Sequence, residues 1–156
     1  MRLIVVSDIH GRKGNLFEIV DRHIKDADYF LCLGDCNSGD DFDDINIYFG
    51  KKVHLITVSG NTDYYSSEPT EREFTLAGKR IMLCHGHTFN VKMTYITLAH
   101  EAKNRGVDIA LFGHTHEPYI SLENGVYLMN PGSAANGSYG IIDINDKEII
   151  CENIRI

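Results

Sequence analysis

The chain has 156 residues, of which 43% are hydrophobic and 24% are charged, and its formal net charge is −7. These values are ordinary for a globular protein and exclude a disordered chain or a fibrous repeat, so we expect one domain over residues 1–156. Phosphate-backbone affinity comes mainly from clusters of Lys and Arg, and none occurs here. Long nucleic acid is therefore not expected as a partner.

Neither export nor a membrane span is predicted. The apolar run at the N-terminus is too short for a signal peptide, and no stretch reaches the roughly 18 apolar residues that a bilayer requires. Cys32, Cys36, Cys84 and Cys151 lack the paired spacing and density of a secreted disulfide scaffold. We therefore expect free thiols, a cytoplasmic location and no association with membranes.

Strand and helix alternate in the first part of the chain. Residues 3–6 form a continuous β-branched and apolar run, which is typical of a strand buried on both faces. Asn15, with Glu18 three positions later, predicts the N-cap of a first helix. A strand at residues 29–33, a short helix near residues 42–49 and a strand at residues 53–58 follow.

Strands dominate the second part of the chain. A helix is predicted at about residues 93–105, and Gly106 is placed to end it. The predicted strands cover residues 73–76, 80–84, 109–112, 126–129, 139–144 and 148–154. This order indicates mixed sheets with helices on the outer faces, in one domain without a linker or repeat.

Five short polar motifs each follow one of the apolar runs. They are Asp8-Ile9-His10, Gly34-Asp35, Gly60-Asn61, His85-Gly86-His87 and Gly113-His114-Thr115-His116. In open α/β sheets, ligand sites form in the crevice beyond the carboxyl ends of the strands. We therefore expect the polar side chains of all five motifs to share one crevice.

The residue types in these motifs are those of metal ligands. Carboxylate, amide and imidazole groups without thiolate suit Mn, Fe, Co, Ni or Zn better than Ca or a Cys-rich structural zinc site. The carboxylate of Asp35 has two oxygens with which to bridge two cations. Taken singly, each motif also fits an ordinary turn or a hydrogen-bonded core histidine. The ordered combination favours a site for two metal ions.

The order of these motifs, together with Asp63 and the segment Asn130-Pro131-Gly132-Ser133, resembles the calcineurin-like metallophosphoesterase superfamily. Within it, the short chain is similar to small bacterial and archaeal phosphodiesterases of the YfcE type, over about residues 1–144. The resemblance implies an α/β fold, a four-layer αββα sandwich with two mixed β-sheets. It also implies two ligand sets that share Asp35: Asp8, His10, Asp35 and His116 for one metal, and Asp35, Asn61, His85 and His114 for the other.

By the same resemblance, the protein is a phosphodiesterase that hydrolyses a small phosphodiester through attack of a metal-activated hydroxide. The implied cofactors are two divalent transition-metal ions, with manganese favoured over nickel, cobalt, iron or zinc. Thr62 stands where many members carry a histidine that is thought to protonate the leaving group, and threonine cannot supply a proton near neutral pH. The small phosphodiesterases that the chain resembles also lack this histidine, which favours diesters over monoesters. His87 and Asp63 are the remaining catalytic candidates: a supporting role is preferred for His87, and Asp63 either orients a neighbouring group or shapes the turn.

Three alternatives to a phosphodiesterase stay open. The first two are a phosphomonoesterase and a nuclease of the same superfamily. The third is a non-catalytic protein-binding scaffold, since the retromer's phosphoesterase-like subunit resembles the same fold. A complete set of candidate ligands favours an enzyme over a scaffold, and the lack of a basic track weakens the nuclease. A homo-oligomer is compatible with the sequence.

Overall fold

The computed structural model describes residues 1–36, 40–50 and 53–156, without the side chains of Asp40 and Asp41. Within these residues, ten strands form two five-stranded sheets. The first sheet contains, in spatial order, β10 (Ile149–Arg155), β9 (Ser138–Ile144), β1 (Arg2–Val6), β2 (Tyr29–Cys32) and β3 (Leu55–Thr57). The second contains β4 (Glu71–Leu76), β5 (Lys79–Cys84), β6 (Ile109–Leu111), β8 (Val126–Pro131) and β7 (Pro118–Glu123).

Both sheets are mixed. Strand β1 runs parallel to β2 and antiparallel to β9, while β6 is parallel to both β5 and β8. Three α-helices lie in the described residues: α1 (Lys13–His23), α2 (Asp40–Phe49) and α3 (Ile96–Asn104). In that part of the chain, no helix combines the length and apolar character that a membrane crossing requires.

Three apolar layers hold the helices and sheets together. Ile4 of β1 packs in a cluster with Leu16 of α1, on the outer face of the first sheet. Leu3, its neighbour in β1, points the other way and packs with Leu83 of β5, so the two sheets face each other. Leu98 of α3 packs against the outer face of the second sheet. The layers are therefore helix, sheet, sheet and helix, which confirms the predicted αββα sandwich.

The starts of two helices differ from the sequence prediction. Helix α1 begins at Lys13, so Asn15 lies inside it and the predicted N-cap is wrong. The Asn15 amide instead donates hydrogen bonds of 2.9 and 3.1 Å to the carbonyls of Ala134 and Ala135, which are distant in sequence. Helix α3 begins at Ile96, later than predicted, because the preceding residues form hydrogen-bonded turns.

Strand β7 was not predicted, and β3 is shorter than predicted. Strand β7 lies at the edge of the second sheet, where a proline at its first position removes no ladder hydrogen bond. Its side chains alternate between exposed and half-buried, so no continuous apolar run marks it.

The cysteines differ from the expectation of free thiols. Cys32 and Cys36 form a disulfide, so that expectation is wrong for this pair, while Cys84 and Cys151 are free. The turn at Gly34 and Asp35 brings the two sulfur atoms together, which a spacing of four residues in the sequence does not reveal.

Candidate metal centre

The loops that follow β1, β2, β3, β5 and β6 meet at one edge of the sandwich. Strands β1, β2 and β3 are parallel to one another, as are β5 and β6, so their carboxyl ends lie side by side. The contacts described below join all seven predicted metal ligands: Asp8, His10, Asp35, Asn61, His85, His114 and His116.

Four of these side chains form a first group. Nε2 of His116 lies 3.1 Å from Oδ1 of Asp8 and 3.3 Å from Nε2 of His10. Nε2 of His10 in turn lies 3.8 Å from Oδ2 of Asp35. Asp8 and Asp35 are buried, whereas His116 reaches the surface.

A second group surrounds His85. Nε2 of His85 lies 3.1 Å from Oδ1 of Asn61, 3.2 Å from Nδ1 of His114 and 3.4 Å from Oδ2 of Asp35. Its other ring nitrogen, Nδ1, lies 2.8 Å from the carbonyl oxygen of Leu33. When His85 is neutral, this carbonyl accepts the Nδ1 proton and the Nε2 lone pair is directed at the group, where a metal ion takes the place of the second proton. Asp35 thus lies between the two groups.

The backbone at these positions is strained. Eight residues other than glycine have a positive φ in the described part of the chain, and five of them are predicted ligands: Asp8, His10, Asp35, His114 and His116. A left-handed conformation costs a residue with a Cβ on the order of 1 kcal/mol, and such strain concentrates at functional sites. The concentration here indicates that the loops are shaped to direct these side chains inward.

Glycine permits a close approach of two of the loops. A Cβ at Gly60 would overlap the backbone nitrogen and the carboxylate of Asp35, and a Cβ at Gly34 would overlap Gly60. Asp63 stabilises this contact between the Gly34-Asp35 and Gly60 loops, because its carboxylate accepts hydrogen bonds from the amides of Asp35 (2.7 Å) and Gly60 (2.8 Å). Asp63 therefore shapes the loops that position Asp35.

Strand β8 and the segment after it form hydrogen bonds with two of the ligand-bearing loops, the one that carries His114 and His116 and the one that carries Asp8. The Asn130 amide donates to the carbonyl of Gly113 (2.8 Å) and to Oγ1 of Thr115 (3.0 Å). Ser133 donates from Oγ to the carbonyl of Asp8 at 2.9 Å. These contacts join residues 130–133 to the loops that carry the candidate ligands, whereas the role of the Leu33 carbonyl was missed because backbone groups leave no mark in a sequence.

The surroundings set the charge of several groups. Burial opposes the ionised form of Asp35, but hydrogen bonds from His85 and from the Thr62 amide outweigh it and hold the Asp35 pKa well below its usual range. Burial likewise opposes a charged His85, yet the Asp35 carboxylate raises the pKa of His85. Burial, the charge of His85 and that of Lys92 lower the pKa of His114 to about 4. His114 is therefore neutral at neutral pH, as a ligand must be.

Two further residues of the predicted site lie beside the ligands. The ring centroid of His87 is 5.5 Å from that of His85 and 6.1 Å from that of His114, and burial lowers the His87 pKa. The Thr62 amide donates to Oδ1 of Asp35 at 2.9 Å. Oγ1 of Thr62 and Nδ1 of His87 are buried without a hydrogen-bond partner among the described residues.

The donor atoms fit divalent cations. Oδ1 of Asp8 is buried and accepts no hydrogen bond from a described residue, although Nε2 of His116 is only 3.1 Å away. Two nitrogens bound to one ion at about 2.0–2.1 Å would stand roughly 3 Å apart. The separations between His10 and His116 (3.3 Å) and between His85 and His114 (3.2 Å) match this value.

Comparison with known proteins identifies the family. Residues 1–147 match the model of the calcineurin-like phosphoesterase superfamily domain, and the chain belongs to this family. It is 28% identical over 133 residues to a Bacillus subtilis protein named probable metallophosphoesterase YsnB, covering 85% of this chain and 75% of that protein. Membership implies a metallophosphoesterase that uses divalent metal ions.

Solved structures share the fold. A predicted phosphoesterase from Streptococcus pneumoniae is 26% identical, with a TM-score of 0.84 over 99% of this chain and 88% of that one. An archaeal phosphodiesterase is similar with a TM-score of 0.79 and 18% identity, over 99% of this chain and 100% of that one. Vps29 from Entamoeba histolytica, solved with zinc, is similar with a TM-score of 0.77 and 22% identity, over 99% of each chain. These last two likenesses show the fold alone.

Proposed function

We propose that this metallophosphoesterase is a phosphodiesterase with two divalent metal ions, acting on a small phosphodiester. The observation that carries the proposal is the meeting of the seven candidate ligands at one edge, with Asp35 between the two groups. An acidic bridge between two nitrogen-rich groups is the arrangement that a pair of metal ions about 3.5–4 Å apart requires. The archaeal protein that shares the fold is itself described as a phosphodiesterase.

In this proposal, Asp8, His10, Asp35 and His116 hold one ion, and Asp35, Asn61, His85 and His114 hold the other. When bound, the two ions supply Lewis-acid stabilisation of the phosphoryl oxygens and lower the pKa of water toward neutrality. The donor set, which contains imidazole, carboxylate and amide but no thiolate, suits manganese and the other first-row ions. We favour manganese among them.

The chain's own groups make the site attractive to an anion. Asp8 and Asp35 are the only carboxylates among the proposed ligands, so two divalent ions leave a local charge of about +2. The low pKa of Asp35 keeps its carboxylate ionised and ready to bind metal throughout the physiological range. A phosphodiester anion can therefore bind although the protein as a whole carries a charge of −7.

Thr62 stands where the small phosphodiesterases that the chain resembles also lack a histidine, and this resemblance directs the proposal toward diesters. The Thr62 hydroxyl is buried and a threonine does not release a proton near neutral pH, so it cannot replace an imidazole acid. His87 is set beside the ligands His85 and His114, and we assign it a supporting role rather than a proton transfer. Without a strong acid at this position, esters with good leaving groups should react fastest.

The test is hydrolysis of bis-p-nitrophenyl phosphate by protein loaded with manganese, compared with p-nitrophenyl phosphate. The expected result is faster turnover of the diester, and a loss of at least about 100-fold in Asp35→Asn and His85→Ala. Faster turnover of the monoester would favour a phosphomonoesterase. Full activity of either variant would remove the proposed metal pair.

A protein-binding scaffold is the second candidate function. Met93 and Ile96 are 79% and 73% exposed and line the same cavity of about 410 Å³, apart from the metal ligands. Exposed apolar side chains that lie together are typical of a docking surface, and Vps29 shares the fold. A metal-loaded protein that turns over no phosphoester would favour this candidate.

The remaining features of the proposal concern the whole chain. We propose that residues 1–156 act as one domain, because the two sheets share one apolar layer that includes Leu3 and Leu83. A cytoplasmic location and a small phosphodiester substrate, rather than long nucleic acid, are part of the same proposal. Size-exclusion chromatography with light scattering would show whether the protein forms the homo-oligomer that its sequence allows.

A further inference from the structure

A cavity of about 330 Å³ lies directly beside the candidate metal centre. It shares His116 with the first group of ligands, and its other lining residues are Pro118, Asn136, Ser138, Asn153, Ile154 and Arg155. Ligand pockets for small molecules begin at about this size, roughly 300 Å³. A molecule held at the metal centre can therefore extend past His116 into this cavity.

The wall of the cavity is bonded to the metal-binding loop. It includes the 3-10 turn Ala134–Asn136, in which the amide of Ala134 donates to the carbonyl of Ser7 (2.8 Å) and that of Ala135 donates to the carbonyl of Asp8 (3.2 Å). The opposite wall is β10, which is paired with β9 in the register Arg155 to Ser138. The cavity is thus held at a fixed position relative to Asp8.

The polar side chains in this cavity have unused hydrogen-bonding capacity. Asn136, Asn153 and Arg155 make no side-chain hydrogen bond or ion pair with any residue that the structure describes. Oδ1 of Asn153 is buried, and an unpaired buried acceptor costs about 1–3 kcal/mol. Ser138 donates to the carbonyl of Pro131 and so retains its lone pairs. A ligand with both donors and acceptors would satisfy these groups.

We propose that this cavity is a subsite for the alcohol portion of the phosphodiester, and that it takes an uncharged ring carrying hydrogen-bond donors and acceptors, such as the sugar or base of a nucleoside. The inference rests on the proposed function for the placement of the phosphate at the metals. Pro118 and Ile154 supply apolar surface for a ring, and the amides of Asn136 and Asn153 can each donate and accept. Arg155 adds a flat guanidinium that can stack on it.

A second phosphate group is a poorer match for the cavity. Arg155 is the one Lys or Arg among the lining residues that the structure describes, and it is exposed. The other polar side chains are two amides and a hydroxyl, which suit neutral hydrogen-bonding groups. The subsite therefore distinguishes diesters by the ring of their alcohol rather than by extra charge.

Binding can be tested without catalysis by NMR titration of the zinc-loaded protein with thymidine 5′-monophosphate. We expect amide shifts at residues 136, 138 and 153–155, and affinity weakened about 3- to 10-fold in Asn153→Leu and in the exposed variant Asn136→Ala. Asn104→Leu, at the exposed end of α3, is the matched control and should bind as the wild type does.

Two further ligands identify what the subsite holds. Inorganic phosphate held at the metal centre should shift the metal-binding loops and not β10, because it has no alcohol group that extends past His116 into the cavity. Ribose 5-phosphate separates the two ring sources: shifts in β10 equal to those with thymidine monophosphate assign the subsite to the sugar, and smaller shifts assign it to the base. Shifts confined to the metal-binding loops with thymidine monophosphate, or unchanged affinity in both variants, would overturn the subsite.

A kinetic comparison links the subsite to turnover. We expect the ratio of kcat/KM for thymidine 5′-p-nitrophenyl phosphate to that for methyl p-nitrophenyl phosphate to fall about 3- to 10-fold in Asn153→Leu and to stay constant in Asn104→Leu. An unchanged ratio in Asn153→Leu would count against the subsite. If neither diester is hydrolysed while the NMR shifts occur, the phosphodiesterase proposal fails and the ring subsite stands.

Discussion

Replacing Gly60 by alanine adds one methyl group directly against the Asp35 carboxylate. The new Cβ would overlap the Asp35 backbone nitrogen and one of its carboxylate oxygens, and would lie 2.9 Å from its Cγ. Contacts of this kind are not tolerated, so Asp35 or the Gly60 loop must move by about 1 Å. Two hydrogen bonds oppose such a shift, from the Asp35 and Gly60 amides to Asp63.

The magnitude follows from two effects. Overpacking of a tight interior costs about 1–3 kcal/mol, which for a chain of this length lowers Tm by about 2–12 °C. A displacement of about 1 Å at a catalytic group lowers the rate by about 100-fold. We therefore expect Gly60→Ala to lower kcat/KM for bis-p-nitrophenyl phosphate about 100-fold and to reduce the metal content of the protein.

The assays are differential scanning fluorimetry, metal analysis and steady-state kinetics on the same preparation. Gly14→Ala is the matched control, because a Cβ at Gly14 in α1 meets no other atom within 4 Å. That helical substitution should leave activity unchanged and stabilise the protein by about 0.5–1 kcal/mol. Wild-type activity and metal content in Gly60→Ala would refute the account of how Asp35 is positioned.

Three other predictions concern the leaving group, the metals and pH. Thr62→His should raise turnover of esters with poor leaving groups, relative to bis-p-nitrophenyl phosphate, because an imidazole can donate a proton; an unchanged relative rate would contradict this. Removing the metal ions with EDTA should lower Tm by about 5–11 °C, relative to protein in a metal concentration 100 times its Kd, because bound ions stabilise the folded state. An unaltered Tm would mean that no ion stabilises the fold. Burial lowers the pKa of His23, so the unfolded chain binds more protons than the folded one once the pH falls below about 6.5. The free energy of unfolding should therefore decrease as the pH falls below this value. Urea unfolding of His23→Gln should show a smaller decrease than that of the wild type, and an equal decrease would contradict this.

The strand ends and their ligands could be predicted from sequence because both are local. Each of the five motifs follows its own apolar run, and the parallel order of β1, β2 and β3 places the ends of those strands together. The continuous apolar run of β1 correctly predicts a strand buried on both faces. These are properties of short segments and of the rules by which strands assemble.

What sequence could not supply depends on contacts between distant segments. Asn15 has the residue type of an N-cap, but its amide is used by the carbonyls of Ala134 and Ala135. Strand β7 carries no apolar run and is specified by its pairing with β8. The cavity beside His116 has the same origin, since Asn136 and Asn153 line one cavity only after β9 and β10 pair.

The central claim is that two metal ions share Asp35. Metal analysis of protein purified with excess manganese, on wild type and Asp35→Asn, tests it most directly. We predict about two ions per chain in the wild type and fewer in the variant, since the shared carboxylate contributes to both ligand sets. One ion per wild-type chain at saturation, or two ions retained in Asp35→Asn, would contradict the claim.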